Sequence, residues 1–478
     1  MNDFPLTSIN LLIAFWLVPG LIISATLIKK DSYGVILIPI FGTGFWTLCF
    51  SLTNLQNFSA LKDFGFIIYF LNVLTLIIVS LKKKSLVFGY LGVILLINLI
   101  EVFNYHYGLI NPSGSSMNIF RSLYNMEYSA LYEFGAPQVY VVALSFFFIG
   151  TSSILLSVSF LTGMAAFTLA GILLYEIFEI DKRILLLACI FPIFNFEVTS
   201  WMLRVRPHFL ASGLTLLFIS SCYFYKRNKN LDSKIIIFTS LFLIMNTRTE
   251  SVILFSLFVL IIFTLEIKNL FLTKFSVIFF LITYLSTLEG VLKYQGIRGP
   301  YFTLLIYILF YLVLLVGNRS KKINELIVKR FNLVFSLFIG LLFLTCIYLF
   351  GDFALQSYRV LFVKLSDPGT SFGSVFVLYF GLLLTLNIDG DSKLRKIIIS
   401  LYLIILFVFI TGPFQYSIFG WETFYTEYVG QDSMIYNPFD ESQSRSIIQF
   451  YLNIGPLIAC YIFKNTKKTV LTKKTGQL

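Results

Sequence analysis

Charge is scarce in this chain. Asp, Glu, Lys and Arg make up 13% of its 478 residues, about half the share of a soluble domain, which excludes an ordinary water-soluble fold. Histidine is scarcer still, with only His106 and His208. Two histidines without clustered acids make a poor metal site, so no metal ligand and no cofactor are assigned. The five cysteines (Cys49, Cys189, Cys222, Cys346, Cys460) stand singly in or beside apolar runs. Without metal or redox spacing they read as small core residues. No basic n-region precedes the first apolar run, so no cleavable signal peptide is expected. No Gly-rich phosphate loop is present, and no stretch between apolar runs could form a nucleotide-binding domain on the cytoplasmic side. ATP-driven transport by this chain alone is therefore not expected.

What fills the chain is apolar: 58% of the residues are hydrophobic and the mean hydropathy is +0.86. Apolar runs of 17 or more residues recur from one end to the other, each long enough to cross a hydrocarbon layer about 30 Å thick. The expected fold class is therefore all-α, a polytopic transmembrane helical protein of about 13–15 spans forming one integral membrane domain over 1–478. A β-barrel would show short alternating segments instead. The spans fall near 9–28, 34–53, 66–81, 86–103, 159–178, 184–200, 208–225, 235–246, 250–266, 272–290, 301–317, 332–350, 372–388, 397–412 and 447–463.

Fifteen crossings put the N-terminus outside and the C-terminus in the cytoplasm. This arrangement places 26 of the 36 basic residues in cytoplasmic loops and 15 of the 24 acidic residues outside, as the positive-inside bias requires. The net charge of +12 thereby finds its source in membrane orientation, and no nucleic-acid partner is expected. The expected location is the bacterial inner membrane. Residues 139–158 are apolar enough to cross, yet counting them as a span inverts every later loop. They are read as a membrane-resting or re-entrant part of the first long extracytoplasmic loop, 104–158. Two more outer loops are expected at 351–371 and 413–446.

Polar residues inside such a chain mark candidate sites, because a charge at a membrane border must pair, reach water or hold a ligand. Glu101 closes the fourth span and is followed by Asn104, Tyr105 and His106. A carboxylate buried at a helix end suits a general base; one reaching into interfacial water would be structural. Glu127 and Glu133, in the loop beyond, offer two further acids. Arg204, Arg206 and His208 flank the outer start of the seventh span, with Pro207 suited to a first helical turn. Guanidinium groups beside a helix N-terminus form a good geometry for phosphate; lipid headgroups or Glu197 are the plainer partners. Arg248 and Glu250 sit on the next outer turn, either paired with each other or beside Arg204 and Arg206. The last outer loop is rich in aromatics and acids, a composition shared by sugar sites and by interfacial aromatic belts.

The run Arg206-Pro207-His208-Phe-Leu-Ala-Ser-Gly, its basic close at Tyr225-Lys226-Arg227 and the later Asn246-Thr-Arg248 resemble the middle of GT-C class glycosyltransferases. Pro19-Gly20 in the first span looks like bacterial members of that class. The resemblance covers about residues 100–260 and is one of spans and turns. It implies a polyprenyl-phosphate-linked sugar donor and a glycan, lipid or protein acceptor at the cell envelope. By the same resemblance a carboxylate of the first long outer loop (Glu101, Glu127 or Glu133) would be the base. Arg204, Arg206, His208 and Arg248 would face the lipid phosphate. The chain departs from that class in having no adjacent pair of acids in this loop, which bears on metal use.

Two other functions fit the same composition: an O-antigen or capsule polymerase, and a transporter or flippase for a lipid-linked or anionic solute. A transporter should carry mid-membrane charges and internal repeats. Here the charges gather at span ends, which favours an enzyme with an outer site.

Overall fold

The computed structural model describes residues 6–52, 65–107, 157–190, 208–247, 320–366, 374–388, 391–418 and 452–464, with single positions at 141, 144, 258, 261, 262, 264, 265, 267, 308 and 312. It is 93% helical, and no strand occurs among the described residues. Among the described residues twelve helices follow the chain: α1 (Leu6–Leu27), α2 (Asp31–Leu52), α3 (Gly65–Lys82), α4 (Lys84–Tyr107), α5 (Val158–Phe178), α6 (Lys182–Ile190), α7 (His208–Asn228), α8 (Leu231–Thr247), α9 (Lys321–Ser366), α10 (Ser374–Asn387), α11 (Ser392–Ile418) and α12 (Leu452–Ile462). Among the described residues six stretches are long and apolar enough to cross a membrane: Ile9–Leu27, Asp31–Cys49, Lys84–Tyr107, Val158–Phe178, His208–Asn228 and Lys329–Gly351. The protein is an all-α, multi-pass membrane protein. A helix is the natural form for such runs, since it satisfies every main-chain polar group within the segment.

The chain forms two compact units. The first comprises Met1–Leu173, Met202–Ser256 and Glu266–Leu315; the second comprises Leu174–Trp201, Leu257–Leu265 and Val316–Leu478.

In the first unit α1 and α2 form a hairpin whose backbones nearly touch. A Cβ on Gly20 would lie 2.0 Å from the Ile38 carbonyl oxygen, and one on Gly42 would lie 2.4 Å from that of Trp16. Apolar lipid gives helices little reason to associate, so small residues that allow close contact carry much of the packing. Polar cross-links add to it. Trp16 donates its indole N–H to Thr43 Oγ1 at 2.9 Å, and Thr43 Oγ1 lies 3.1 Å from Thr162 Oγ1, joining α1, α2 and α5 in the buried interior. Helices α5 and α7 come close near Gly163: Phe209 stacks on Phe160 and Phe167, and one turn later Gly213 meets the Gly163 carbonyl. Helix α8 returns antiparallel to α7 through a two-residue turn. Lys229 ends α7 with a left-handed φ of 45°, and Asn230 caps α8 by accepting the Ser233 N–H at 3.0 Å.

In the second unit α9 and α11 pack along each other, through Ser400 Oγ donating to Asn332 Oδ1 at 2.9 Å and rings of Phe335 and Phe338 on Phe407. Residues 351–371 were expected as an outer loop. Within that stretch the residues up to Ser366 are helical beyond a kink at Gly351 (φ 48°, ψ −123°), and 367–371 lie outside the described residues. A straight helix would hold Phe343 and Tyr358 about 22 Å apart. Their ring centroids lie 5.5 Å apart, so the chain folds back on itself at this glycine. Tyr358 then donates its hydroxyl to the Ile410 carbonyl at 2.7 Å. Gly351-Asp352 reads as a loop signal, but the residues after it repeat apolar positions at helical spacing, with Ala354 and Tyr358 buried one turn apart. Helix α11 runs through Ile418, into the stretch expected as the last outer loop, 413–446, whose remaining residues lie outside the described ones. The single described positions 141 and 144 are helical and buried; the rest of 139–156 lies outside the described residues.

Asp391 caps α11, accepting the Leu394 N–H at 3.0 Å and the Lys464 ammonium at 2.8 Å. Burial works to raise its pKa, but the Lys464 ammonium and the N–H groups of Leu394 and Lys393 outweigh it and hold the carboxyl below the usual carboxylate range. A carboxyl held lower in the folded state stabilises it above the unfolded value of about 3.9. That contribution is lost as pH falls through the folded value. The bridge is partly exposed, which limits it to about 1 kcal/mol or less. Melting of the detergent-purified protein should therefore fall more steeply between pH 5 and pH 3 for wild type than for Asp391→Asn. Parallel curves would contradict this role.

Candidate functional site

Two of the described candidate residues, Glu101 and His208, lie toward the end of the first unit where α4 and α8 finish and α5 and α7 begin. Helix α4 shows a buried edge of Leu86, Tyr90, Ile97 and Glu101, spaced to lie on one face. Glu101 is 3% exposed. Its Oε1 accepts the Ser157 N–H at 3.2 Å and also a hydrogen bond from the Ser157 hydroxyl. Ser157 is the cap of α5, since its own carbonyl accepts the Leu161 N–H at 2.8 Å. The carboxylate thus satisfies an otherwise orphaned N–H and sits against the positive end of the α5 dipole. Asn104, one turn along α4, adds a side-chain hydrogen bond to Glu101.

One turn below, Asn98 Nδ2 donates to Asn10 Oδ1 of α1 at 2.7 Å and to the Ile94 carbonyl at 3.0 Å. Its Oδ1 is buried without a hydrogen-bond partner. Asn98, Glu101 and Asn104 therefore form a polar stripe three residues apart along the upper part of α4, next to α1 and the start of α5.

His208 is the first residue of α7 and is 1% exposed. The close approach of α5 and α7 at Gly163 and Gly213 lies within about two turns of both Ser157 and His208. Helix α8 finishes there too, with Thr247 fully buried and Asn246 donating to the Phe242 carbonyl at 2.9 Å. Asn246 Oδ1 is buried and has no hydrogen-bond partner. Two helix N-termini, a buried carboxylate, a buried imidazole and an open amide oxygen thus share this end. Of these, the start of α7 with His208 can donate hydrogen bonds to an anion, whereas the start of α5 is already engaged by Glu101 and the Asn246 oxygen can only accept.

His106 does not join them. It is exposed, with Tyr105 and Tyr107 beside its ring at 5.3 and 6.4 Å. Five residues along a helix turn a side chain about 140° away from Glu101. Glu127, Glu133, Arg204, Arg206, Arg248 and Glu250 lie outside the described residues. In the sequence Arg204 and Arg206 precede His208, and Arg248 follows Thr247. Among the described residues no group of three or more His, Cys, Asp or Glu side chains could hold a metal ion.

Sequence reasoning missed Ser157 and the Asn98–Asn10 pair. Ser157-Val-Ser opening an apolar run is a legible capping signal. An asparagine inside a span, three residues before a carboxylate, is a legible polar stripe. No family model, curated protein or solved structure matches the chain.

Proposed function

We propose that the chain is a membrane glycosyltransferase that moves a sugar from a polyprenyl-phosphate donor to an extracytoplasmic glycan, lipid or protein acceptor at the cell envelope. The observation that carries this reading is the convergence at one end of the first unit of buried Glu101 and the N-termini of α5 and α7. Under the positive-inside topology that end faces outward. The donor phosphate meets the start of α7, where Arg204, Arg206 and His208 cluster in the sequence, with Arg248 supplying charge after α8. As the glycosyl C–O bond breaks, the bonding pair goes to the phosphate oxygen, and the guanidinium groups stabilise that charge.

Glu101 is buried and already engaged by Ser157. That favours a positioning role, holding the start of α5 beside that of α7. The acceptor hydroxyl proton then goes to Glu127 or Glu133 in the loop that follows α4, as a general base.

The test is transfer of labelled sugar from a polyprenyl-phosphate donor by membranes carrying wild type, Arg206→Ala, Arg248→Ala, Glu101→Gln, Glu127→Gln or Glu133→Gln. Loss of one guanidinium should lower kcat/KM at least tenfold, the scale of one charge-assisted hydrogen bond. One of Glu127→Gln and Glu133→Gln should lower kcat and alter its pH profile. Glu101→Gln should shift KM and kcat together and leave that profile in place. Undiminished transfer in Arg206→Ala and Arg248→Ala would sink the phosphate site.

A further inference from the structure

At the opposite end of the first unit, three turns that are far apart in sequence are fastened together. Between α1 and α2, the Lys29 main-chain N–H donates to Asp232 Oδ2 at the start of α8, at 3.1 Å. Between α3 and α4, Lys83 Nζ donates to the Ile28 carbonyl at 2.7 Å and lies 3.5 Å from Asp31 Oδ1. Ser85 donates its hydroxyl to the other oxygen of Asp31. Tyr33 and Phe224 meet edge to face at 6.2 Å, tying the first turn to the end of α7.

These bonds engage the acids: Asp232 is 4% exposed, and Asp31, at the surface, is held by Lys83 and Ser85. They leave cations outward. Lys29, Lys82, Lys84 and Lys229 are all exposed on the three turns. Beside them along the helices lie exposed apolar side chains, with Leu27 at 42%, Leu81 at 77% and Phe88 at 74% exposure.

We infer that this three-turn platform is a binding site for an anionic phospholipid of the bilayer leaflet it faces. The lysines take the phosphate and the apolar side chains take the acyl chains. A soluble anion would use the lysines alone, whereas an amphiphile uses both surfaces. Basic clusters at span ends recognise anionic headgroups in this way.

The experiment measures binding of fluorescent phosphatidylglycerol and phosphatidylcholine to the purified full-length protein in detergent. Wild type should bind phosphatidylglycerol at least tenfold more tightly. The double variant Lys29→Gln/Lys84→Gln should lose on the order of tenfold. Lys29 enters the fastening through its main chain, so this pair leaves the fold intact. Lys322→Gln/Lys329→Gln, on exposed lysines of α9, should bind as wild type. Asp232→Ala separates an assembled site from simple surface charge. It removes a negative charge, so charge alone predicts tighter binding, whereas an untied platform binds less. Equal affinity for the two lipids, equal loss in the α9 pair, or displacement of the lipid by millimolar inorganic pyrophosphate would each overturn the assignment.

Discussion

Gly20→Ala should leave little correctly folded protein after detergent extraction, and Gly42→Ala should behave the same way. The added Cβ at Gly20 would stand 2.0 Å from the Ile38 carbonyl oxygen and 2.7 Å from the Gly42 nitrogen. Both neighbours are main chain, so neither can swing aside as the tip of a side chain could. The two helices would have to separate, which costs about 3 kcal/mol or more. It would also strain the Trp16–Thr43 hydrogen bond, which depends on the same approach. The comparison is Gly92→Ala and Gly171→Ala, where no atom lies within 4 Å of the new Cβ. These should extract as monodisperse protein and melt as wild type. A Gly20→Ala protein that matched them would mean that α1 and α2 do not approach as described.

Glu101→Ala should lower the melting temperature by several degrees, and Glu101→Gln should restore most of the loss. Alanine leaves the Ser157 N–H and hydroxyl without their acceptor in a buried place, at about 1–3 kcal/mol for an unsatisfied group. Glutamine keeps an oxygen where Oε1 stands. Helix α5 would lose its anchor to α4 just where it must line up with α7. If the alanine protein melts as wild type, the Glu101–Ser157 contact does not hold the start of α5 in place. The stability measurement stands apart from sugar transfer: it tests the anchor, whatever reaction the site supports.

Most helices were legible in the sequence because length and apolarity settle them. The expected spans at 9–28, 34–53, 66–81 and 159–178 differ by a few residues at most from α1, α2, α3 and α5. The stretch after Gly351 reads as a loop; the chain does turn at that glycine, and the helical spacing of the residues beyond it is what that reading misses. The polar contacts were less legible, because a hydrogen bond between residues 56 apart depends on how helices meet. Glu101 could be singled out as a carboxylate in an apolar run, but its partner could not. His208 was likewise visible as a rare residue, while its place near the start of α5 follows from the Gly163–Gly213 contact. His106 shows the converse. It lies five residues from Glu101, yet the helix turns it to another face.

The buried link from Trp16 through Thr43 to Thr162 has a mechanical consequence. Three cylinders in contact can ordinarily roll like gears, each rotation compensated by its neighbours. Here one hydroxyl is held by two other helices at once, so rolling any of the three breaks a bond inside a medium that offers no replacement. The link therefore favours one rotational phase of α1, α2 and α5 over others, by about 1 kcal/mol for each bond. Rotation within this trio costs more than a tilt of the three together, which keeps the bonds.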